Sequence, residues 1–156
     1  MNSNKEYNEA MERIAVKLRD YILNEIVKKG LYDTGELRRS VEYELQDNNI
    51  LILAASYLPY AEFGRGAGKV PYGFENIISD WAKRKGIAVK NNDFQKFGES
   101  VKWKTIKYGS ARFRGVIPDA DVLSQPVEDI MNETMNEEFA AVLTAMIGEG
   151  LDDLLV

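Results

Sequence analysis

Tyr7, Met11, Ile14, Ala15, Leu18, Ile22 and Ile26 recur at spacings of three and four between Lys, Arg, Glu and Asp, which predicts one long amphipathic helix. Gly30 is its predicted stop. Lys28 and Lys29 suit the negative end of the helix dipole, and Gly30 can turn left-handed so that Leu31 packs back. Asp33, with Glu36 three positions on, has the spacing of a capping box and opens a short second helix over Leu37 to Ser40. From Val41 the period changes to two. Val41, Tyr43 and Leu45 alternate with Glu42 and Glu44 as a half-buried strand, Asp47, Asn48 and Asn49 supply turn chemistry, and Ile50 to Ala55 return as an apolar strand. The run Ser56 to Gly64 reads as a short helical turn with Pro59 near its start.

Phe74, Ile77, Ile78, Trp81, Ala82 and Lys85 regain helical spacing, with Gly86 as terminator. Asp93 is a cap for a further helix through Phe94, Phe97, Val101, Trp103 and Ile106 to Gly109, in a pattern that Gly98 weakens. Arg112 to Pro118 reads as a short strand or an extended loop. Ser124 and Pro126 open a long acidic helix along Val127, Ile130, Met131, Thr134, Phe139, Val142, Leu143 and Met146, expected to end at Gly148 and Gly150. Leu151 to Val156 then forms a frayed or docking tail. The order of elements predicts an α+β fold in a single domain, residues 1–156. Its small antiparallel sheet is a hairpin at about 41–55, with an optional third strand near 116–123, packed against long N- and C-terminal helices.

Composition narrows the chemistry. The chain has no Cys and no His, which removes disulfides, thiolate and imidazole metal ligands, cysteine nucleophiles and Ser-His-Asp triads. Enzymes stay open only through carboxylates, Lys, Tyr or bound hard cations, and the expectation is a protein that is not an enzyme and uses no cofactor or metal. No run of apolar residues reaches the roughly 18 needed for a membrane span, and the N-terminus is too polar for a signal peptide, so the chain reads as cytoplasmic without membrane contact. The net charge of −5 is unevenly spread: Lys83 to Arg114 holds ten basic and two acidic residues, whereas Pro118 to Val156 holds ten acidic and no basic ones. Such asymmetry suits a nucleic-acid surface, opposite faces meeting on neighbouring copies, or pairing inside one fold.

Gly64-Arg65-Gly66-Ala67-Gly68-Lys69 resembles a phosphate loop but fails the templates, because Phe63 and Val70 stand where a P-loop needs Gly and Ser or Thr. It reads as a mobile loop whose Arg65 and Lys69 contact a partner or phosphate backbone. Asp119 with Asp121, Asp152 with Asp153, and Glu62 lack the spacing of a calcium loop. Glu128, Asp129, Glu133, Glu137 and Glu138 read as a solvated helix face. Lys102, Lys104 and Lys107 around Trp103, and Arg112 and Arg114 around Phe113, interleave charge and aromatics as single-stranded nucleic-acid platforms do. The same aromatics also suit a core covered by Lys stems, and a pI near 4.9 argues against a dedicated nucleic-acid binder.

Two phrases occur in order: Tyr32 to Val41, YDTGELRRSV, after the long first helix, and Tyr57 to Gly66, YLPYAEFGRG, after the hairpin. Together they resemble the head–tail joining and tail-completion (neck) proteins of tailed bacteriophages, whose "TGxLRxSI" phrase is followed by "YAxYvEfGTG". Thr34, Gly35, Leu37, Arg38, Ser40, Tyr57, Tyr60, Glu62, Phe63 and Gly64 match, and Arg65 departs from the usual Thr. The resemblance covers roughly residues 1–90, with Trp103 to Gly109 similar to the family's later helix. It implies a structural virion protein, made in the host cytoplasm, that forms a homo-oligomeric ring of six or twelve copies in the neck. Its partners would be portal or connector and tail proteins, with double-stranded DNA passing without sequence specificity. Gly35 would set the angle between first helix and hairpin, while Tyr57, Tyr60 and Phe63 would anchor the following loop onto the sheet. The segment Lys83 to Arg114 would face a neighbour, and either the acidic terminal helix or Glu42 and Glu44 would face the lumen. A second reading is a nucleic-acid-binding module using residues 83–114; a third is a carboxylate-based, metal-dependent enzyme.

Overall fold

The first apolar stripe folds as α1, Ser3–Lys28, and buries Met11, Ile14, Ala15, Leu18, Ile22 and Ile26. A computed structural model describes the backbone of residues 3–31 and 34–152, and side chains over 4–31 and 34–144. Gly30, at φ 70°, closes α1 as expected: its N–H donates to Val27 O at 3.0 Å and that of Leu31 to Ile26 O at 2.9 Å, which satisfies the terminal carbonyls. The expected cap Asp33 lies outside the described residues. The short second helix, α2, Glu36–Ser40, is entered through Gly35 at φ 74°, with Leu37 buried.

Strands β1, Glu42–Gln46, and β2, Asn49–Leu53, pair antiparallel with Tyr43 opposite Ile52 and Leu45 opposite Ile50. Asp47 turns the chain at φ 49°. Tyr43 fixes the hairpin on α1, because its hydroxyl donates to Glu12 and its ring lies 5.4 Å from the Arg19 guanidinium. The structure is 62% helical with this two-stranded antiparallel sheet, an α+β fold. The optional third strand near 116–123 does not form. Arg112 to Pro118, read as a short strand or an extended loop, begins instead as a helical turn over 111–115 closed by Val116 N–H on Ala111 O, and Ala120 N–H donates to Glu62 O at 3.0 Å, not to a strand.

Further along lie α3, Leu58–Phe63; α4, Phe74–Arg84; and α5, Phe94–Tyr108. Asp93 caps α5 as predicted, accepting from Lys96 N at 3.0 Å. Gly98 packs rather than weakens: a β-carbon there would lie 2.1 Å from Glu75 O, so α4 and α5 touch backbone to backbone. Ser79 and Ala82, small and buried, are the other α4 residues on this side, with the Ser79 hydroxyl donating to Phe94 O.

The acidic C-terminal helix runs as α6, Ser124–Asp129, a π-helical turn Ile130–Thr134, and α7, Met135–Asp152. It continues through Gly148 and Gly150 instead of ending there. Glycine lowers helix propensity by about 1 kcal/mol but terminates a helix only when it leaves helical dihedrals. Two of the five acids expected on a solvated face are engaged with α1. Glu138 accepts from Arg13 Nη2 at 2.8 Å, and Asp129 accepts from the Tyr21 hydroxyl.

The chain clusters into two compact units, Met1–Ser56 with Asp121–Val156, and Tyr57–Ala120. Residues 57–120 hold 12 Lys and Arg against 6 Asp and Glu, and the remainder holds 8 against 19. Their formal charges are therefore +6 and −11, so the asymmetry of the sequence follows the compact units.

Candidate functional site

In the unit 57–120, α4 spends its small side, Ser79 and Ala82, on α5. Its large apolar side is left over: Ile77 is 53% and Trp81 36% exposed. These two side chains, with Phe74, Tyr60 and Ile117, line an open groove of about 710 Å³. That volume lies within the roughly 300–1,000 Å³ of pockets that bury a drug-sized ligand. Arg65 and Arg112 also line it.

The segment Tyr57 to Gly66 forms one wall. In α3, positions 58 and 62 share a face, and Leu58 and Glu62 are buried at 4% and 0% exposure. Tyr57, Tyr60 and Phe63, spaced by three, take the opposite side and are 38%, 49% and 49% exposed. The aromatics expected to anchor this segment are therefore partly exposed, and its buried side chains are Leu58 and Glu62.

The glycine loop is pinned, not mobile. Gly64 N–H caps α3 on Tyr60 O, Arg65 N–H donates to Ser110 Oγ at 2.9 Å, Ser110 N–H returns to Arg65 O at 2.8 Å, and Gly68 N–H donates to Ile106 O at 2.9 Å. The last bond satisfies a carbonyl that α5 would otherwise leave open at its C-terminal turn. A β-carbon at Gly64 would lie 2.5 Å from Phe113 N, so the close approach admits no side chain.

Of the predicted contact residues, Arg65 and Arg112 line the same groove, and several have local partners of their own. Arg112 Nη1 donates to Ala61 O at 2.6 Å, capping α3, and Arg114 Nε donates to Ser110 O at 3.4 Å. Lys102 pairs with Glu75 at 2.9 Å, and the ammonium holds the Glu75 carboxyl below its ordinary range. Arg65 stacks 4.5 Å from the Tyr60 ring, and Lys107 lies 4.9 Å from that of Tyr108. Lys69 and Lys104 are exposed, and so is Trp103 at 65%. The core alternative for Trp103 does not hold, because α5 turns Gly98 and Thr105 inward.

The earlier phrase does local work in the other unit. Thr34 Oγ1 accepts from Glu36 N at 3.4 Å, Arg38 is exposed, and Ser40 ties both ends of the hairpin. Its hydroxyl donates to Leu37 O and accepts from Ala55 N, each at 2.8 Å. Sequence reasoning missed Gly98 and the outward turn of α4. The small residues Ser79 and Ala82, one helical turn apart, were the available signal for a close helix contact off the apolar stripe.

Among the described residues no group of three or more His, Cys, Asp or Glu side chains could hold a metal ion, and no helix is long and apolar enough to cross a membrane. Comparison with protein-family models, curated protein sequences and solved structures returns no match.

Proposed function

We propose that this chain is a structural subunit that acts by associating with copies of itself, as a ring in the neck of a tailed bacteriophage between portal and tail. The observation that carries the reading is the apolar groove, whose α4 wall is an amphipathic stripe that leaves Ile77 and Trp81 partly exposed. The two motif phrases supply the phage assignment: one wall of the groove is the segment Tyr57 to Gly66. Units of charge +6 and −11 favour a head-to-tail contact, in which each copy offers a different face to the next and rings close.

Light scattering across a concentration series tests this, with imaging of large species. The expected result is a closed ring, formed alone or on adding portal complexes. The Ile77→Asp variant should weaken association about tenfold or more, as a charge placed at the centre of an apolar contact does. A chain that stays monomeric at every concentration and ignores portal complexes refutes the reading.

The exposed Trp103 beside Lys104 and Lys107 favours a second reading, a single-stranded nucleic-acid platform. It requires an affinity that falls linearly on a log–log plot against salt, and the ring reading does not.

A further inference from the structure

We propose that the groove of residues 57–120 receives the segment Leu151–Val156 of a second copy of the chain. This rests on the self-associating reading above and names the contact that would build it. The segment reads Leu-Asp-Asp-Leu-Leu-Val: Leu151, Leu154 and Leu155 fall at spacings of three and four, with Asp152 and Asp153 between them. Helix α7 reaches Asp152, so the segment is carried at the end of an 18-residue helix, and 153–156 lie outside the described residues. An amphipathic end of this kind matches helix-in-groove recognition, where apolar anchors at such spacings enter an apolar trough.

The groove has the complementary chemistry. Ile77, Trp81 and Ile117 offer an apolar floor with volume for several aliphatic side chains. Arg65, stacked 4.5 Å from the Tyr60 ring, sets a cation in the lining, where Asp152 or Asp153 would meet it in a charge-assisted hydrogen bond. The segment belongs to the unit of charge −11 and the groove to that of +6, so contact between copies neutralises both and leaves a free groove and a free segment for the next copy. The same charges oppose groove against groove and segment against segment.

The absence of Cys makes the test direct. The variants Ile77→Cys and Leu154→Cys are prepared separately, mixed, and oxidised with oxidised glutathione. Mixed disulfide dimers well above either variant alone are expected, and a chain carrying both substitutions should give a ladder of multimers. A mixture without that excess, or a double variant joined only within its own chain, overturns the proposal. A charge swap gives a second measure. Asp152→Lys with Asp153→Lys should lower self-association about tenfold, and adding Arg65→Glu should recover most of it; no loss, or loss without recovery, counts against the contact. If the unsubstituted chain associates while these tests fail, this contact alone is wrong. If it stays monomeric and no cross-link forms, the self-associating reading falls as well.

Discussion

Gly98→Ala tests the α4–α5 contact on which the groove depends. The new β-carbon would sit 2.1 Å from Glu75 O, where ordinary contact begins at 3.4 Å, so α4 has to retreat by about 1.3 Å. That shift strains the Ser79 bond to Phe94 O and the Glu75–Lys102 pair, which both span the same contact. Overpacking typically costs about 1–3 kcal/mol, and one buried hydrogen bond lost adds about 1 kcal/mol. Alanine's better helix propensity returns about 1 kcal/mol. The net expectation is a loss of about 1–3 kcal/mol, or a fall in Tm of about 2–12 °C for a chain of this size. Urea unfolding followed by tryptophan fluorescence is the assay, since the only two tryptophans, Trp81 and Trp103, lie on these two helices. Ser100→Ala, at an exposed position of α5, is the control and should gain a few tenths of a kcal/mol. If Gly98→Ala proves as stable as the unsubstituted chain, the helices are not in backbone contact and the account of why α4 leaves its apolar side free is wrong.

Ser40→Ala removes the acceptor for Ala55 N–H and should cost about 1–2 kcal/mol, with faster hydrogen exchange at the Ala55 amide; unchanged exchange there would show that the hydroxyl does not hold the hairpin. The junction of α1 with the C-terminal helix should loosen in acid. The Arg13 hydrogen bond holds the Glu138 carboxyl below its ordinary range, and Tyr21 with Gln125 does the same for Asp129. Depressed carboxyl values contribute stability that is present above the unfolded values near ~4 and is lost as pH falls through the folded ones. Exchange protection in α6 and α7, corrected for intrinsic rate, should therefore drop between pH 5 and about pH 3. Arg13→Ala should shrink that change, and equal protection at both pH values would show that the pairs contribute nothing.

The local part of this protein was legible in the sequence because it depends on residues a few positions apart. The α1 stripe buries as its spacing requires, Gly30 ends the helix, Asp93 caps α5, and Asp47 with Asn48 sets the hairpin register. The cysteine- and histidine-free composition likewise fixed which chemistries were open. Long-range partners decided the rest. An apolar stripe states that a helix has a face to cover, not which neighbour covers it. In α4 the neighbour came to the small residues, because Gly98 lets a backbone approach there and yields a closer contact than Ile77 and Trp81 permit. Some of the basic residues of the sequence found distant partners for the same reason. Arg112 met carbonyls at the end of α3, 50 and 51 positions earlier, and Lys102 met Glu75. The glycine loop lost its freedom to Ser110 and to the Ile106 carbonyl left open at the end of α5. Unsatisfied backbone groups and close helix contacts recruit distant partners, and only the tertiary structure says which ones.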